Sequence, residues 1–145
     1  GRALVFAGRK GAGKSTLARI CLREGGLILG EEQIVLEARE GETWAYGTPW
    51  YGEIRICENM GAPVGGIFLL SHGAENRIEP VPPTHAASEL LRRLFFAALL
   101  PGEIPLLLET CRRIASRTPL ARLAFRPEPG LLGYLSSHAS PAAHR

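Results

Sequence analysis

The chain has 145 residues, 46% of them hydrophobic and 21% charged, and a net charge of +3 at pH 7. That length supports one domain, 1–145, with a hydrophobic core of its own, and the composition is that of an ordinary globular protein. The positive excess is small and without Lys/Arg runs, and the longest apolar run, Leu94–Leu100, is too short to span a bilayer, so neither nucleic acid nor membrane is an expected partner.

Ala3–Ala7 is an apolar run that reads as a buried strand, and Thr16–Glu24 reads as a helix with Leu17, Ile20 and Cys21 on one face. Between them Gly8-Arg9-Lys10-Gly11-Ala12-Gly13-Lys14-Ser15 fits G-x-x-x-x-G-K-[ST], the pattern of a phosphate-binding loop. Its glycines let backbone N–H groups wrap phosphates at the positive end of the helix. Lys14 would reach the β- and γ-phosphates, and the Ser15 hydroxyl would ligate Mg²⁺. The expected nucleotide-binding residues are therefore Gly8, Lys10, Gly11, Ala12, Gly13, Lys14, Ser15 and Thr16. Lys10 and Lys14 are the only lysines in the chain, so a compact ammonium stands where a phosphate needs one and arginine serves everywhere else. The chain has no Asp. Any metal ligand or base is then a Glu, and the Asn-Lys-x-Asp guanine-reading motif is excluded.

Gly25-Gly26 stops the helix, and Leu27-Ile28-Leu29 reads as a short strand. Gln33–Arg39 alternates as a strand, Gly41 turns the chain, and Thr43–Tyr46 returns antiparallel. Gly47–Gly52 is a loop, Ile54 and Ile56 mark another strand, and Gly65–Leu70 is a continuous apolar strand expected at the sheet centre. Ser71–Pro83 reads as loop. Thr84 can cap a helix carrying Ala87, Leu90, Leu91, Leu94 and Ala98, which Pro101-Gly102 breaks. Ile104, Leu107, Leu108, Cys111 and Ile114 mark the face of a second helix, and Leu120–Phe125 a last strand. From Ser136 onward the chain reads as a frayed tail. The expected fold class is α/β, with a mixed, partly antiparallel sheet.

Phosphoryl transfer also needs a metal-holding acid and a group that orients or deprotonates the nucleophile. Glu31 and Glu32 are the candidates, at the end of the strand after the loop's helix, where many α/β nucleotide sites face their ligand. Adjacent strand residues point to opposite faces, so both reach the site only if the backbone turns, which Gly30 permits. Two solvated glutamates at an exposed turn is the other reading. Trp44, Tyr46, Trp50 and Tyr51 read as hairpin packing or as a platform for adenine. The histidines at 72, 85, 138 and 144 share no metal spacing, and Ser71-His72 lacks the third member of a hydrolase triad. Cys21, Cys57 and Cys111 show no metal spacing either, and their odd number suits reduced thiols and a cytoplasmic location.

The chain resembles the P-loop kinases related to HPr kinase/phosphorylase, whose fold is like the nucleotide-binding part of phosphoenolpyruvate carboxykinase. The family reads a Gly-Lys-Ser loop, a helix, a Gly-containing turn, a short apolar strand and then Asp-Asp. Here Glu31 and Glu32 follow Lys14 at the spacing of that acid pair, and Glu53-Ile54-Arg55 matches a Glu-Ile-Arg signature with a metal-associated Glu. Gly47-Thr48-Pro49-Trp50, Glu75–Pro80 and Pro119–Leu123 are similar to segments of short bacterial relatives. The resemblance implies an ATP- and Mg²⁺-dependent kinase that transfers the γ-phosphoryl group to a hydroxyl, a serine of a protein or peptide. In that scheme Lys14, Glu31 and Glu32 are catalytic, Ser15 with Glu32 or Glu53 holds the metal, and Glu31 addresses the acceptor. Glu-Glu in place of Asp-Asp, Thr16 in place of a Glu, and Gly61-Ala62-Pro63 depart from the pattern, so HPr itself is not carried over as substrate. A regulatory ATP-binding module and a small-molecule kinase are the alternatives, and homo-oligomerisation is left open.

Overall fold

A computed structural model describes residues 1–94 and 101–138. It is an α/β fold with a mixed, open, partly antiparallel sheet. Strand β1 (Ala3–Ala7) leads through the glycine loop into helix α1 (Lys14–Arg23). Strands β2 (Ile34–Ala38) and β3 (Thr43–Gly47) form the expected antiparallel hairpin, with Ala38 opposite Thr43 and Gly41 at φ 83° in the turn. The positive φ is a conformation glycine adopts without a Cβ clash.

The organising strand is β4 (Gly61–His72). Its first residues pair antiparallel with β3, and Ile67, Phe68 and Leu69 pair with two parallel neighbours at once, β1 and β6 (Leu120–Phe125). Those two strands must therefore lie on opposite edges of β4. A strand bonded on both edges and buried on both faces carries apolar residues without alternation, as Val64–Leu69 does with six consecutive buried positions. Strand β5 (Arg77–Pro80) pairs antiparallel with β6 and closes that side of the sheet. It lies within the stretch expected as loop. Its polar sequence gives no strand signal, and Pro80 is tolerated because an edge strand has bonds to make on one side only.

The sheet separates two cores. On one face Val5, Ile67, Leu69 and Leu120 pack with α2 (Pro83–Leu91) and α3 (Ile104–Arg117) through Ala86, Leu90, Cys111 and Ile114. On the other, Phe68, Ala121, Leu123 and Phe125 pack with α1 and α4 (Leu131–His138) through Leu17, Ile20, Leu131 and Leu135. Successive residues of β4 and β6 thus feed opposite layers, the period-2 rule of a strand.

Several expected boundaries move. Leu27–Leu29 is not a strand; a single bridge, Gly30 to Cys57, takes its place, and Leu29 O accepts from Glu58 N at 2.9 Å. The expected strand at Ile54 and Ile56 is also absent, since the backbone folds sharply there, with Arg55 at φ 58°. Helix α2 begins at Pro83 rather than after Thr84 and ends at Leu91, so Leu94 falls outside it. Ala98 lies outside the described residues. On α3, Cys111 and Ile114 are buried, whereas Ile104 and Leu108 are exposed. Ser136–His138, expected as part of a frayed tail, belong to α4, and 139–145 lie outside the described residues. Among the described residues no helix is long and apolar enough to cross a membrane.

Candidate functional site

Three parallel strands end around the glycine loop. Strand β1 runs straight into Gly8, and a Cβ on Gly8 would stand 3.3 Å from that of Leu70 in β4. Strand β4 continues three residues past the register partner of Ala7, Leu69, and its last residue, His72, donates from Nε2 to Gly11 O at 2.6 Å. His72 is in register with Phe125 at the end of β6, whose ring lies against Gly13: a Cβ there would come within 2.8 Å of Phe125 Cζ. Gly13 also has φ 98°, so this position excludes a side chain twice over.

Helix α1 starts immediately after Gly13 and has neither a side-chain cap nor an acid in its first turn. The first N–H groups of an α-helix have no partner within it, and here no carboxylate or hydroxyl of the cap position answers them. They carry the positive end of the helix dipole, which favours an anion. Lys14 extends back over the loop, its Nζ donating to Gly8 O at 2.9 Å and Arg9 O at 3.2 Å. Gly8–Ser15 is thus a closed turn of backbone with an ammonium across it.

Ser15, on the first turn, donates to Glu31 Oε1 at 3.2 Å, and the other oxygen, Oε2, accepts the Ile54 N–H at 2.8 Å. Gly52 lies directly beneath that carboxylate, where a Cβ would stand 2.6 Å from its carbon. A segment that sequence reading made a strand is instead a turn that holds Glu31 in place. Ser15 and Glu31 present two hard oxygen donors side by side. Such a pair suits Mg²⁺, which takes few protein ligands and completes its shell with water and phosphate oxygens. The described residues contain no group of three His, Cys or Glu arranged to hold a metal by themselves.

The acids expected with Glu31 stand differently. Glu32 is exposed on the following residue. Glu53 pairs its carboxylate with Arg19 of α1 at 3.3 Å and is 70% exposed. Thr16 is exposed beside the loop. Of the four aromatic residues, Trp44 and Tyr46 are occupied on the hairpin. Their rings stack 6.2 Å apart, with the Arg39 guanidinium 4.5 Å from the Trp44 centroid. The Tyr46 hydroxyl and Arg39 both donate to Glu37 and hold its carboxyl below the ordinary carboxylate range. Trp50 and Tyr51 are exposed in the loop leading to Gly52, and a bond between the Tyr51 hydroxyl and the Cys57 thiol pushes the Tyr51 pKa up.

His72 and Phe125 are contacts that sequence reading missed. Their signal was positional: each closes a strand that runs parallel to the one feeding the loop, and the carboxyl edge of such a sheet is where ligands bind. No family model, curated protein or solved structure matches the chain.

Proposed function

We propose that the protein is an ATP-dependent phosphotransferase of the HPr-kinase-like group, built on a P-loop, acting on a hydroxyl of a protein or peptide. The observation that supports this reading best is the Ser15–Glu31 contact at the foot of an uncapped helix that opens with Gly-Lys-Ser. The loop amides and Lys14 bind and orient the phosphates. ATP·Mg²⁺ supplies the transferable phosphoryl group. Ser15 and Glu31 are the residues that would hold Mg²⁺, so the two acids exchange their expected parts: Glu31 takes the metal, and exposed Glu32 is left to approach the acceptor. The geometry supports this assignment: Glu31 is bonded at both oxygens, whereas Glu32 is exposed. Because phosphoryl transfer passes through a loose transition state, positioning and charge neutralisation by these groups account for most of the catalysis.

A second reading, a nucleotide-binding module without transfer, draws on Glu53, whose pairing with Arg19 leaves one carboxylate at Ser15. The test is a melting shift with ATP·Mg²⁺ followed by transfer to cytosolic proteins or their peptides. A ligand at a hundred times its dissociation constant adds about 2.7 kcal/mol to stability. Lys14→Ala removes most of that shift, measured against its own unliganded melting temperature, which falls slightly with the loss of the bonds to Gly8 O and Arg9 O. Equal shifts in wild type and Lys14→Ala would exclude the loop as the site. Binding with no transfer to any acceptor would leave the module.

A further inference from the structure

We propose that the cleft between His72, Phe125 and Pro127 receives the nucleobase of the bound nucleotide, by shape and stacking and with little choice between purines. This rests on the reading of Gly8–Ser15 as the phosphate site. A cavity of about 70 Å³, lined by Gly13, Thr16, His72, Phe125 and Pro127, opens beside the first turn of α1. Gly13 closes the loop and Thr16 lies in the first turn of α1, the two segments that would carry the phosphates. The remaining walls are the last residues of β4 and β6 and the proline that follows, two rings and a pyrrolidine, which suit a flat aromatic ligand.

The phosphate chain has two ends, and they fall at different places. Ser15 and Glu31 are the residues that would hold Mg²⁺, which would accompany the phosphates at the transferring end, so they mark that end. The groups held around Glu31, namely Ser15, Gly52 and Ile54, share no residue with the cavity lining. The base hangs from the α-phosphate, at the other end, and the cavity lined by Gly13 and Thr16 meets this requirement among the described residues. Trp50 and Tyr51 lie in the loop that leads to Gly52 and hence at the Glu31 end. The hairpin pair Trp44 and Tyr46 is already stacked under Arg39.

Selectivity follows from what lines the cleft. Its polar side chains are Thr16 and His72, and His72 Nε2 is committed to Gly11 O. A site that reads a base through buried hydrogen-bonding groups rejects the wrong one by about 10⁴-fold or more, whereas an apolar slot discriminates by only about 10–200-fold.

The experiment measures dissociation constants, with Mg²⁺, for ATP, GTP and inorganic tripolyphosphate. Wild type is expected to bind ATP about tenfold more tightly than tripolyphosphate, the size of one stacked base, with GTP within about tenfold of ATP. Pro127→Trp, which fills the cleft from an exposed position outside the phosphate loop, brings ATP to the tripolyphosphate level and leaves tripolyphosphate unchanged. His72→Ala narrows the same ratio from another wall, and Trp50→Ala leaves it intact. Equal wild-type affinities for ATP and tripolyphosphate would overturn the base site while sparing the phosphate loop. So would collapse of the ratio in Trp50→Ala rather than Pro127→Trp. Failure of wild type to bind either compound would overturn both readings.

Discussion

Glu31 is held at both carboxylate oxygens, by a hydroxyl from the loop's helix and by a backbone amide from the turn at 52–54. Such a group acts in the ground state. Glu31→Gln keeps its shape but loses the charge, so it is expected to weaken the Mg²⁺ dependence of nucleotide binding by about 10–100-fold, the usual effect of disturbing a metal's supporting groups. Glu32→Gln is expected to leave nucleotide affinity unchanged and lower turnover, an effect confined to the transition state. Titrating each variant with Mg²⁺ at fixed ATP, alongside single-turnover transfer, separates the two. Loss of Mg²⁺ dependence in Glu32→Gln alone would restore the opposite assignment of the pair. Both effects depend on where one carboxylate stands, and that was half legible. The spacing from Lys14 singled out two glutamates, but the choice between them depends on the turn after Gly30 and on the Ile54 amide, a contact 23 residues away in sequence.

Between elements, two buried or half-buried polar contacts hold the layers in register. The Thr118 hydroxyl, at the α3–β6 junction, donates to that of Thr43 on β3 at 2.7 Å, with Thr43 1% and Thr118 3% exposed. Thr118→Val strands the Thr43 hydroxyl in the core and is expected to cost about 1–3 kcal/mol, whereas Thr43→Val/Thr118→Val together cost less than the sum of the single changes. Urea unfolding of the three variants measures this, and additive losses would exclude the pair as a unit. The second contact joins the ends of two helices. Glu24, which follows α1, accepts from Gly130 N at 2.6 Å and Leu132 N at 2.8 Å, so one side chain caps the start of α4. Its charge suits the N-terminus of α4. Glu24→Ala is expected to cost about 0.5–2 kcal/mol and to expose the 126–131 segment to limited proteolysis, because α4 is short and is otherwise held by Leu131 and Leu135. Unchanged cleavage would show that those two leucines dock α4 unaided.

Over the whole molecule, the two cores also decide which thiols react. Cys21 lies in the α1–α4 layer and Cys111 in the α2–α3 layer, both buried, and burial raises both thiols above their ordinary pKa. Cys21 is pushed up further by the neighbouring Glu24 charge. The thiolate is the reactive form, so a disulfide reagent at neutral pH is expected to label Cys57 first, in the loop that packs near Glu31, and the other two only on unfolding. Rapid labelling of Cys111 in the native protein would place its helix elsewhere.

Local pattern determined the parts of this protein that depend on local physics. The apolar run Ala3–Ala7, the hairpin about Gly41 and the strand Leu120–Phe125 are each specified by residues a few positions apart, and all three form where the sequence puts them. Tertiary structure decided whatever depends on a partner distant in the chain. Strand β5 exists because β6 offers it a free edge, and Leu27–Leu29 fails to become a strand because it finds a single bridge instead of a ladder. His72 and Phe125 reach the loop only because two parallel strands bring residues 61 and 112 positions beyond Gly11 and Gly13 to the end of β1. A strand pattern fixes which face a side chain takes, but not which neighbour it meets, since pairing is set by the sheet as a whole.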